Sequence, residues 1–363
     1  MNHFNITIIG NRIAAAAALI SLGQRLAGNP SLKIALVAPS PLQKQHPVGE
    51  SLPPTIKPLL QKMDLWDDFS AQNYPTSEAR FTCWDNEQLQ PTFAHQTPYG
   101  FGWCIDRLAF ENSLWKKAKQ TSFTTINAIF KHSEKTAEGW RLKLSDGQTI
   151  ETDFVLDCTG RAASFAKTQS ERQKGSQMVA ACDFLPPLNQ QVHRSAGVMI
   201  EAVEQGWWYS SLLPNGELAI AYFTDREHIA KSVCHDKNQW QQNLNNSQYT
   251  KLRVETGEFA DFNQPRIHDA SMSCLNETTG DGWLACGDAA MALDPLSAHG
   301  MTTALWSGYK GANACIDSLN GDNQPLQQYN DSCKQNWQTY CEQRQAMYRR
   351  QTRYPDSVFW RQF

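Results

Sequence analysis

The sequence predicts an α/β (α+β) protein in which a Rossmann-like dinucleotide-binding domain carries an inserted antiparallel-sheet domain. Three observations predict it. A β-branched strand from Asn5 to Ile9, an alanine-rich helix from Ala14 to Ile20 and a second apolar strand from Lys33 to Ala38 form a βαβ unit of ordinary length. Far along the chain, the apolar run Gly282 to Cys286, the acidic turn Gly287-Asp288 and a helical run from Met301 to Ile316 repeat the order strand, turn, helix. Between them, from about Val179 to Arg266, the pattern changes to β runs such as Gly197 to Glu201 and Glu217 to Phe223. The division expected is a discontinuous nucleotide-binding domain over 1–75, 99–178 and 267–325, an inserted domain over 76–98 and 179–266, and a helical C-terminal tail over 326–363.

The first βαβ unit departs from the pattern G-x-G-x-x-G/A. Gly10 opens it and Ala15 fills the third place, but Arg12 stands where the second glycine belongs. Arg12 must either point away or supply its guanidinium to the phosphates. The acid usual after the second strand is replaced by Ala38-Pro39-Ser40. The alanine run also resembles the apolar core of a signal peptide, but Asn11-Arg12 interrupts it and no basic segment precedes it, so that reading is rejected.

Glu50, followed by Ser51, either orients a ligand or caps the helix leading to Leu60. Arg107 stands just before an amphipathic helix begun by Leu108 and Phe110, where it either reaches a phosphate or forms a structural ion pair. Trp140 to Leu144 and Phe154 to Leu156 flank the Asp146-Gly147 turn as a β-hairpin would. The second of these strands ends at Asp157 to Gly160, where a polar loop can lean over a dinucleotide. The polar stretch Gln239 to Gln248 reads as a solvated helix or loop.

The segment Gly287 to Gly300 reads as a flavin site, with an ordinary strand-loop-helix connection and Asp288 and Asp294 as turn residues the competing reading. Asp288, at a strand end, can accept hydrogen bonds from a ribityl or ribose hydroxyl. The loop through Pro295, Ser297 and Gly300 to Met301 then offers backbone N–H groups at a helix N-terminus to the electron-rich edge of a flavin. His299 is either a proton carrier beside the ring or a loop residue that only caps and fills. Trp207, Trp208 and Tyr209 are candidates for the substrate wall, with burial as structural anchors the competing reading.

Composition narrows the class. A length of 363 residues suits two domains or one large composite, and no apolar run approaches the roughly 20 residues that span a bilayer. A net charge of -3 and scattered lysines and arginines give no footprint for nucleic acid. Ten cysteines without a C-x-x-C pair or zinc-like spacing predict reduced core thiols, no metal site and a cytoplasmic setting.

Gly49 to Pro54, Trp103 to Phe110, Asp157 to Arg161, Gly206 to Tyr209, Gly287 to Gly300 and Pro355 to Trp360 occur in the order seen in FAD monooxygenases related to flavin-dependent halogenases, and the chain resembles that superfamily throughout. Its length and its tail from Tyr354 to Phe363 look most like the LodB/GoxB-type flavoproteins that mature cysteine tryptophylquinone oxidases. The resemblance implies a p-hydroxybenzoate-hydroxylase-like fold, FAD as cofactor, and NAD(P)H or a flavin reductase as electron donor. It also implies a precursor quinone-cofactor oxidase as the partner whose tryptophan is oxygenated. The alternatives are a flavin-dependent tryptophan halogenase or small-molecule monooxygenase, and a flavin-containing maturation chaperone. A halogenase needs a positioned lysine, and the region around Ala79 and Arg80, where relatives carry it, has none: Lys62 is followed next by Lys116. If the substrate is a protein, the apolar residues around Trp207, Trp208 and Pro355 to Trp360 are expected to form its docking surface.

Overall fold

The computed structural model describes residues 2–27, 32–39, 50–77, 79–96, 100–189, 197–232, 237–260 and 263–363. Ser40 and Gly49, both read above, lie outside the described residues.

Asn2–Ile9 is the centre of the first sheet, paired in parallel with Thr149–Asp157 on one side and Ile34–Ala38 on the other. Trp283–Ala285 and Thr124–Asn127 extend it, also in parallel. Strands covered on both faces read as continuous apolar runs, and all five residues of Ile34–Ala38 are buried. Helix Ile13–Arg25 follows the first strand and is buried without a break from Ile13 to Leu22. It lies against helix Gly300–Leu319, and the alanine run has its explanation there. A Cβ on Gly308 would stand 2.3 Å from the Ala14 carbonyl oxygen, so only small residues on both helices permit the approach.

The predicted hairpin forms, with Trp140–Leu144 antiparallel to Thr149–Asp157 and Gly147 in the left-handed region at its turn. The long strand ends at Asp157, whose buried carboxylate accepts hydrogen bonds from the backbone N–H groups of Thr159, Phe165 and Ala166. Those bonds fix the loop that follows.

The second sheet has seven strands in the order Arg266–Asp269, Val179–Leu185, Leu218–Thr224, Gly206–Leu212, Gly197–Val203, Ala79–Cys83 and Gln90–Phe93. It is antiparallel except where Gly197–Val203 meets Ala79–Cys83 in parallel. Alternation along its strands sorts the aromatic residues between two cores. Trp208, Leu218 and Tyr222 join one, with Trp240 packed against Trp208 at 4.9 Å. Trp207, Phe223 and Ala180 face the other. The polar stretch read as solvated contributes helix Lys237–Asn245, which drives Trp240 and Leu244 into the first of these cores.

Helix Gln324–Arg349 and the residues after it complete the second core. Tyr348, Phe359 and Trp360 pack with Trp84 and Trp207, and the Trp360 Nε1–H donates to the Val203 carbonyl at 2.9 Å. Trp207, Trp208, Phe359 and Trp360 are therefore internal anchors and not the docking surface expected from their apolar character, while Val358, next to Phe359, is exposed. Among the described residues no helix is long and apolar enough to cross a membrane.

Trp360 is 7% exposed and seals Trp84 and Tyr348, so Trp360→Ala should cost about 3–5 kcal/mol of stability, read as a lower midpoint in chemical denaturation. An unchanged midpoint would return the tail to the surface.

Candidate functional site

A cavity of about 560 Å³ lies between the carboxyl ends of the parallel strands and the inner face of the seven-stranded sheet. That is where open α/β sheets bind ligands, because helix N-termini and glycine turns converge there.

Three arginines line it: Arg12, Arg107 and Arg161. Arg12 precedes helix Ile13–Arg25, which has no side-chain cap and no acid in its first turn. Its guanidinium turns toward Glu111, with Nη1 at 3.6 Å from Oε2, while the other carboxylate oxygen accepts the Arg107 Nε–H at 2.9 Å. Arg107 opens helix Arg107–Ala118, capped by Asp106 through the Ala109 N–H, so Arg107 and Glu111 stand one turn apart. Arg161 places Nε at 3.5 Å from the Asp288 carboxylate. Asp288 also holds the loop through its carbonyl, which accepts from Arg172 at 2.6 Å. Burial pushes the Asp288 carboxyl up, opposed by Arg161, Arg107 and Arg172.

Beyond Asp288 the loop turns at Asp294, whose side chain caps the turn Pro295–Ser297 through the Leu296 N–H. Pro295, Gly300 and Met301 line the cavity. Helix Gly300–Leu319 begins there with no side-chain cap and no acid in its first turn, and such an N-terminus suits an electron-rich group.

The opposite wall is apolar, built from Ala180, Phe184, Trp207, Ala221 and Phe223, with a polar inset of Glu50, Ser51 and Tyr209. Antiparallel pairing of Ser51–Leu52 with Trp103–Cys104 carries Ser51 to Tyr209, and their hydroxyls meet at 2.9 Å. Burial raises the Tyr209 phenol, and the charge of Glu50 raises it further; the Cys182 thiol rises for the same two reasons, in the same order. Glu50 is 4% exposed and its carbonyl accepts the Ile105 N–H at 2.7 Å. The short helix after it starts at Pro54, with Pro53 at its N-cap position.

Arg12, Glu50, Ser51, Arg107 and Gly160 thus come together with Asp288, Trp207 and Tyr209 around one cavity. Five expected residues do not join them. Trp208 lies on the far face of its strand, a consequence of period-two alternation. His299 is exposed at the start of helix Gly300–Leu319, between the lining residues Ala298 and Gly300. The Ser297 hydroxyl turns back to donate to the Asp294 carbonyl. Ala15 is wholly buried between helix and sheet, and Ala14 lines the cavity in its place. Gly10 serves closure of the strand ends: with φ +115°, a Cβ there would stand 2.3 Å from the Cys158 carbonyl oxygen.

Glu111, beside the cavity, and His268, in its lining, escaped sequence reasoning. Glu111 had a readable signal in its i,i+4 spacing from Arg107. His268 had none: it sits on the short edge strand Arg266–Asp269, and register alone sets it opposite Ala180. Its Nε2 is buried without a hydrogen-bond partner, and burial, then Arg266 and Arg107, depress its pKa. Cations, a half-buried acid, an uncapped helix and an apolar roof are together the chemistry that a diphosphate, a polyol and a flat ring require. The residues present fit FAD.

Comparison with known proteins agrees. LodB of Marinomonas mediterranea, described as an FAD-dependent oxidoreductase, is 22% identical over 372 residues, covering 99% of this chain and 96% of LodB. The myxobacterial chondrochloren halogenase CndH, an FAD-dependent halogenase, superposes with a TM-score of 0.84 at 17% identity, over all of this chain and 86% of its own. The peptidyl tryptophan dihydroxylase QhpG, essential for tryptophylquinone cofactor biogenesis, superposes with a TM-score of 0.74 at 18% identity, over 99% of this chain and 78% of its own. FAD should copurify with the protein, and Asp288→Ala should weaken it at least tenfold (about 1.4 kcal/mol) in fluorescence titration. Unchanged FAD affinity in that variant would remove Asp288 from the site. The tryptophan halogenase family model matches residues 66–363, and the chain belongs to that family.

Proposed function

We propose that this FAD-dependent oxidoreductase hydroxylates a tryptophan side chain of a precursor amino-acid oxidase, a step in the formation of cysteine tryptophylquinone. The observation that carries the reading against halogenation is the make-up of the cavity wall. Among the described residues that line it, the basic groups are arginines and one histidine, with no lysine. Halogen transfer through an enzyme amine needs a nitrogen that can lose a proton and act as nucleophile, and a guanidinium stays protonated. Arg80, on the roof strand Ala79–Cys83, stacks on Phe101 with its guanidinium carbon 4.8 Å from the ring centroid and stands outside the lining. The match to LodB along nearly its whole length, and the likeness to a peptidyl tryptophan dihydroxylase, support a protein-borne tryptophan as substrate.

Bound FAD, once reduced by NAD(P)H or a flavin reductase, supplies the activation of molecular oxygen. The chain's own residues hold the acceptor ring. Glu50 is buried in the roof close enough to Tyr209 and Cys182 to raise both, and a carboxylate there accepts an indole N–H and fixes the ring's orientation. Tyr209 keeps its proton at neutral pH and is held by Ser51, so it lines the chamber as a neutral hydroxyl. Trp207, Ala221 and Phe223 keep water off the reacting edge.

Co-expression with the precursor oxidase, followed by intact-protein mass spectrometry, should show one or two oxygens gained on a precursor tryptophan. No gain with FAD-loaded enzyme, or chlorination of free tryptophan in the presence of halide, would overturn the reading. Glu50→Gln should cut the rate of oxygen gain about ten- to a hundredfold while FAD remains bound, the loss of one charge-assisted hydrogen bond. An unchanged rate would free Glu50 of any part in holding the ring.

A further inference from the structure

We infer that Glu111 is a positioning residue of the cofactor's phosphate subsite: one carboxylate that bridges Arg12 and Arg107 and aims both guanidiniums at the diphosphate. The inference rests on the cavity holding FAD.

The geometry is that of a bridge. Glu111 spends its two oxygens on two different arginines, Oε1 on the Arg107 Nε–H at 2.9 Å and Oε2 toward Arg12 Nη1 at 3.6 Å. Both arginines line the cavity, and Glu111 does not. Its side chain is 9% exposed, against 22% for Arg107 and 45% for Arg12, so the anion is the inner, fixed member and the cations are the outer ones. The three groups come from two elements, since Arg12 stands just before helix Ile13–Arg25 while Arg107 and Glu111 belong to helix Arg107–Ala118. An ordinary i,i+4 pair on a helix surface would need neither the burial nor the second arginine.

The bridge also accounts for the broken glycine pattern. In the usual fingerprint the second glycine lets the diphosphate lie against bare backbone. Arg12 forbids that approach and offers a side chain instead, and a long side chain that is nearly half exposed loses much entropy if it must be ordered by the ligand alone. An anchored guanidinium is already ordered. The bridge keeps a net charge of +1, so it still attracts a diphosphate. Here charge and geometry make opposite forecasts for removal of the carboxylate. Pure electrostatics predicts tighter FAD binding, because a negative charge near the phosphates is gone. Loss of positioning predicts weaker binding.

The experiment is flavin titration of Glu111→Gln, Arg12→Ala and the double variant with FAD and with riboflavin, which lacks phosphate. Glu111→Gln should raise the Kd for FAD about tenfold and leave that for riboflavin within a factor of about two. In the Arg12→Ala background the Glu111→Gln effect should shrink, because the two residues act as a unit. Glu111→Asp, which keeps the charge on a shorter arm, should recover part of the affinity. Tighter FAD binding by Glu111→Gln, equal losses for FAD and riboflavin, or full additivity with Arg12→Ala would each overturn the inference. If the wild-type chain bound neither flavin, the FAD reading itself would fall; wild-type FAD affinity in Glu111→Gln would sink the bridge alone.

Discussion

The buried carboxylate of Asp294 holds together parts of the chain that are far apart in sequence. It is 1% exposed, and such a charge is tolerated only when fully paired. One oxygen caps the flavin-side turn through the Leu296 N–H. The other accepts from Arg344 Nε at 2.6 Å and from the Tyr348 hydroxyl at 2.9 Å, both on helix Gln324–Arg349. Tyr340 of the same helix donates to the Asp294 carbonyl at 3.1 Å. Removing one partner from a buried pair of this kind costs about 3–5 kcal/mol, because the charge left behind has no water to turn to.

That one carboxylate explains why the C-terminal helix is integral to the site. The Tyr348 hydroxyl accepts from the Trp207 Nε1–H at 3.1 Å, so the same residue ties the flavin-side loop to the roof. Arg344 in turn bonds Ser176 at 2.6 Å, near the start of the roof sheet, and stacks over Tyr348 and Phe363. Loop, roof and tail are set by a single polar cluster sealed under aromatic rings. Phe359 and Trp360 of the tail serve that seal, which is why they are buried.

The two walls of the cavity divide the chemistry between them. The wall built from strand ends and helix N-termini carries the fixed charges, Arg12, Arg107, Arg161 and Asp288, and its task is to hold an anionic, hydroxyl-rich cofactor. The roof is largely apolar and aromatic, with Glu50 and Asp269 as its acids, and on the proposed reading its task is to seat a flat apolar ring and exclude water. Among the described residues the cavity lining lacks a lysine amine and keeps a buried carboxylate, which is what the proposed oxygen transfer asks of a fold shared with halogenases.

The sequence by itself determined the architecture and most of one wall. The βαβ start, the second strand-turn-helix and the change to β runs are local patterns, and hydrophobic period and turn chemistry are written in consecutive residues. Arg12, Arg107, Gly160 and Asp288 were legible because each sits at a strand end or helix start whose position the pattern fixes. What tertiary structure alone decided was facing and pairing. Trp207 lines the cavity while Trp208 is packed behind it; the neighbours are chemically alike, and only the strand's registration against the rest of the roof chooses between them. His299 is adjacent to lining residues and exposed without joining them, whereas His268, inconspicuous in sequence, is brought to the lining by its pairing with Ala180. Asp294 reads in sequence as a turn residue, and nothing local announces Arg344 and Tyr348 as its partners some fifty residues later. Those contacts are long-range, and their energy comes from burial, which no single segment of chain can specify.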